Sequence, residues 1–113
     1  IQAITEAVTR KLLFDDKLCR FLDTINLQTL LNKQRHFLKT VFGAFGNEQT
    51  MPENLREFYR AQTHPDLPDK LLDAALWHLN RSFIELDVPE HEVVKLMTAL
   101  RKKSHDEPAS FAT

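Results

Sequence analysis

One cysteine and two glycines are all that 113 residues contain of either type, and both scarcities narrow the chemistry available. A lone Cys19 can close no internal disulfide and cannot build a multi-cysteine zinc or iron–sulfur site. It fits a reducing compartment, so an intracellular location is expected. Gly43 and Gly46 form no glycine-rich phosphate loop. No apolar run approaches the roughly 20 residues that a membrane-spanning helix needs, and no signal-peptide pattern opens the chain. The chain opens on Ile1 rather than Met, so an upstream segment, with any targeting information it held, is expected to precede it. Neither sign of charge dominates: 15 Lys and Arg against 16 Asp and Glu leave a formal net charge of -1 and a pI of about 6.6. Such a balance gives no basic field for nucleic acid or an acidic membrane. Strand-like alternation, internal repeats and low-complexity tracts are missing. No serine or cysteine nucleophile with a local base and no paired catalytic carboxylates are present, so enzyme chemistry of these kinds has no support.

What the chain does have is apolar residues at helical spacing. At 42% hydrophobic residues it can bury one core without staples, which is the size of one domain. Ile1, Ile4, Val8 and Leu12 form the stripe of a first amphipathic helix ending near Asp15-Asp16, and Leu18, Phe21 and Leu22 suggest a short helical turn. From Asn26 the period is cleanest, with Leu27, Leu30, Leu31, Gln34, Phe37, Leu38, Val41 and Phe42 on one face. Gly43 and Gly46 are expected to end that helix. Thr50 and Glu53, with Pro52 between, make a capping box that starts a short helix at about residue 51 carrying Leu55, Phe58, Tyr59 and Gln62. Pro65 and Pro68 break it. A further helix carries Leu71, Leu72, Ala75, Leu76, Leu79, Phe83 and Leu86. A last one carries Val93, Leu96, Met97 and Leu100, and Arg101, Lys102 and Lys103 suit its C-terminal dipole. The class is all-α, with a domain over residues 1–103 and a polar tail over residues 104–113.

Four segments, in order, resemble truncated (two-over-two) hemoglobins of the first group. DDKLCRFL with the turn TINL is similar to the family's second helix, acidic turn and entry to the distal helix. KQRHFL followed by VFGAFG resembles the KQ-x-x-FF and ALGG end of that distal helix. NLREFY resembles the start of the proximal helix. LLDAALWHLNRSFIELDVPEHEV resembles the HFDxVxxHLxxALxxxGVP stretch, whose glycine is Asp87 here. The resemblance spans nearly the whole chain up to about Lys103. It implies a globin-like sandwich of two helix pairs, with Asn26 to Phe42 packed across the helices from Leu67 onward and against Leu71, Leu72, Leu76, Leu79 and Phe83.

Carried over residue by residue, the resemblance puts Thr9 where the family keeps a distal tyrosine. Phe21 and Leu22 fall on its heme-stacking aromatic pair, and Leu30 and Gln34 on the two distal positions. The proximal iron ligand falls on Tyr59 if NLREFY is matched to the family's NLKE-x-H, or on Gln62 if the family's usual spacing is counted back from His78. Neither is histidine. The nearest histidine, His64, is an alternative iron ligand but precedes Pro65, where helical geometry is disfavoured.

Each of these residues also has a reading as ordinary structure. Gln34 reads as a buried amide satisfied by its surroundings, and Tyr59 as a core side chain with a satisfied hydroxyl rather than an iron-bound phenolate. His64 reads as a loop side chain in solvent, and His36, His78, His91 and His105 as scattered surface histidines without metal-ligand spacing. Phe37, Phe42, Phe45, Phe58 and Phe83 either line a cofactor cavity or fill it. The expected function is therefore a degenerate globin domain without functional heme, serving as a structural or protein-interaction subunit of a larger assembly with other protein chains. The alternatives are a heme protein that binds oxygen or nitric oxide through His64 or Tyr59, and a sensor that uses a remodelled pocket for another apolar ligand.

Overall fold

At three helix starts in this chain, side chains accept the orphan amides of the first turn. The computed structural model describes residues 2–45 and 52–101. Within them lie six helices, α1 Gln2–Phe14, α2 Asp16–Leu22, α3 Leu27–Phe45, α4 Leu55–Thr63, α5 Asp69–Glu85 and α6 Glu90–Arg101, and no strand. Asp15 caps α2 by accepting from the Lys17 and Leu18 amides at 3.0 and 3.1 Å. Asn26 caps α3 in the same way through Gln28 and Thr29, and Asn54 caps α4 through Glu57 at 3.3 Å. The 104–113 tail and Lys102 and Lys103 lie outside the described residues, as do Thr50 and Gly46.

Two expected boundaries move. Gly43 does not stop α3, which continues to Phe45, and Gly43 does not take a positive φ. A glycine inside a helix costs only about 1 kcal/mol relative to alanine, less than the packing of Val41, which is fully buried beside it. The short helix begins at Leu55 with Asn54 as its cap, not at residue 51. By contrast α5 ends near its expected limit: Asp87 turns the chain at φ 58, the left-handed region that glycine enters without strain and aspartate tolerates.

The hub is α1, which packs against α2, α3 and α5; α3 also packs on α4, α5 on α6, and α4 on α6. The expected packing of α3 across α5 is corrected accordingly. α3 leans mainly on α1 and α4, and meets α5 where the Phe42 and Phe83 rings stand edge-on at 6.1 Å. Leu27, expected to open the buried face, is exposed, whereas Leu30, Phe37, Leu38 and Val41 are sealed. One continuous core joins these to Val8, Leu12, Leu72, Leu79 and Phe83. At roughly 1.5–3 kcal/mol for each fully buried large side chain, this core outweighs any single cap.

Candidate functional site

The α3–α4 packing brings together Gln34, Tyr59, Gln62 and Thr63. Gln34, on the inner face of α3, is fully buried. Its amide nitrogen donates to the Gln62 carbonyl at 2.9 Å and to the Thr63 hydroxyl at 3.1 Å, while its amide oxygen accepts from the Tyr59 hydroxyl at 2.9 Å. The Thr63 hydroxyl in turn donates to the Tyr59 carbonyl at 3.0 Å. The circuit is closed: every polar atom of the Gln34 head and the Tyr59 tip has a partner, as burial demands. The Phe37 ring lies 4.6 Å from the Tyr59 ring, and Phe58 flanks Phe37 at 5.8 Å.

Burial pushes the Tyr59 phenol far above its ordinary value, although Thr63 and Gln34 pull it the other way. A phenolate there would be a charge in an apolar seam, so Tyr59 stays a neutral donor.

The other candidate positions fall elsewhere. Thr9 is buried on α1, and its hydroxyl has no hydrogen-bond partner among the described residues. Leu22 and Leu30 are sealed in the core. Gln62 enters the circuit through its backbone carbonyl, not its side chain. Phe21 is half-buried and meets the His64 ring edge-on at 5.6 Å. His64 is the C-cap of α4 in extended backbone and is half-buried against Phe21 rather than standing in solvent. Its Nδ1 accepts the Asp66 amide at 3.0 Å, which places the proton of a neutral ring on Nε2. Coordination of iron through Nε2 needs the opposite arrangement, with Nδ1 donating and Nε2 free.

A porphyrin held between a distal and a proximal side chain keeps them apart by the coordination distances on its two faces. Gln34 and Tyr59 are instead in hydrogen-bond contact. In this arrangement Gln34 and Tyr59 do not fit a heme between them.

Two participants have no counterpart in the sequence reading. Thr63 completes the circuit; its only signal is its place one turn after Tyr59. Arg56, one turn before Tyr59, is 2% exposed. It pairs with Asp73 at 3.0 Å and sits 3.6 Å from Asp69, while Nε and Nη2 find no hydrogen-bond acceptor. Arg60 completes the clasp: it bonds Glu57 at 2.9 Å, Asp69 at 2.6 Å and the Leu67 carbonyl. Glu57 first, and then Asp69, hold its guanidinium above its ordinary value. These ions fix α4 to the start of α5.

His78 also departs from expectation. It is not a free surface histidine: its Nε2 lies 2.8 Å from Asp15 Oδ2, and both side chains are mostly covered. The hydrogen bond to His78, with the Leu18 and Lys17 amides, holds the Asp15 carboxyl below its usual range against the opposing effect of burial. His36 and His91 are exposed, and His105 lies outside the described residues. No described helix is long and apolar enough to cross a membrane.

Comparison of the chain with protein-family models, with curated proteins and with solved structures finds no match in any of the three.

Proposed function

We propose that this chain is a truncated-globin-like domain that works without heme, as a structural or protein-interaction subunit of a larger assembly. The observation that carries the proposal is the Tyr59 to Gln34 hydrogen bond at 2.9 Å. It joins one of the two positions matched to the proximal ligand directly to a position matched to a distal one. The pairings of α1 with α3 and of α5 with α6 are consistent with two helix pairs, and Asp87 at the family's glycine position takes the backbone angle that a glycine would. A domain whose interior is filled by its own side chains keeps only its surface for recognition, which favours docking over ligand chemistry.

The test is titration of the purified protein with hemin, beside His64→Ala and Tyr59→Phe. Weak binding that is the same in all three supports a heme-free domain. Tight one-to-one binding lost in His64→Ala makes His64 the iron ligand and overturns the proposal, and loss only in Tyr59→Phe overturns it in favour of tyrosinate ligation. Native mass spectrometry of endogenous material should find the chain bound to other chains; free monomer alone counts against the assembly role.

A further inference from the structure

We draw no further inference here: the strongest candidate, the cavity between α4, α5 and α6 lined by Arg56, Asp73, Trp77 and Arg101, carries nothing, because Asp73 and Asp69 already hold the Arg56 guanidinium at 3.0 and 3.6 Å, its Nε and Nη2 are closed to solvent, and nothing in the structure shows what would occupy the cavity.

Discussion

Replacing Tyr59 with phenylalanine removes one oxygen from the interior and leaves the ring that packs on Phe37 at 4.6 Å. The hydroxyl donates to Gln34 at 2.9 Å, and both residues are 0% exposed. The Gln34 amide oxygen would then be a buried acceptor without its donor. Losing the bond and stranding its partner costs about 1–3 kcal/mol. For a domain of this size each kcal/mol lowers the thermal midpoint by roughly 4–8 °C, so the effect is easily measured by urea or heat at neutral pH. Gln34→Leu removes the bonds to the Gln62 carbonyl and Thr63 as well and should cost more. The double variant should cost less than the sum, with a coupling of about 0.5–3 kcal/mol, because the second substitution no longer strands anything. A cost for Tyr59→Phe below about 0.5 kcal/mol, additive with Gln34→Leu, would mean that the hydroxyl is solvated and that α3 and α4 stand apart, refuting the closed seam.

The sealed faces of α3 should be equally sensitive: Leu30→Ala should cost about 2–5 and Phe37→Ala about 3–5 kcal/mol, and losses under about 0.5 kcal/mol in chemical denaturation would place those side chains at the surface. Asp15 supplies a pH test. Its folded-state pKa is depressed, first through His78, so its contribution is complete above the unfolded value near 3.8 and is lost as pH falls through the lower folded value. Asp15→Asn keeps the α2 cap and removes the titration. The gap in urea midpoint between wild type and variant should therefore narrow from about pH 5 to about pH 2, whereas a constant gap would contradict the linkage.

The helical stripes were readable because burial repeats with the helix period, and Leu30, Gln34, Phe37, Leu38 and Val41 all face inward as spaced. Local competition was harder to read. Gly43 carries a stop signal that packing overrides, and the Thr50 to Glu53 signature competes with Asn54, whose side chain reaches the Glu57 amide. Within the site, the resemblance marks Gln34 and Tyr59 as positions of interest, but their contact depends on how closely two helices approach, which periodicity does not encode. The pair of His78 with Asp15 joins residues 63 apart, and Arg56 is buried although arginine is rarely so. Both are set by tertiary placement and left no local trace.

At nine residues, α4 is shorter than the roughly 12–15 that an isolated helix needs in water. It holds because Leu55, Arg56, Tyr59 and Thr63 are buried, because Asn54 caps its start, and because Arg60 ties its end to Leu67 and Asp69. Such an element detaches as a unit rather than fraying from one end. Its amides should exchange with solvent through a single sub-global opening, at a free energy below that of global unfolding. Detachment is also what would break the bonds between Gln34 and α4. Any large flat ligand that entered would be selecting the opened form, and its apparent affinity would be reduced by the rarity of that form.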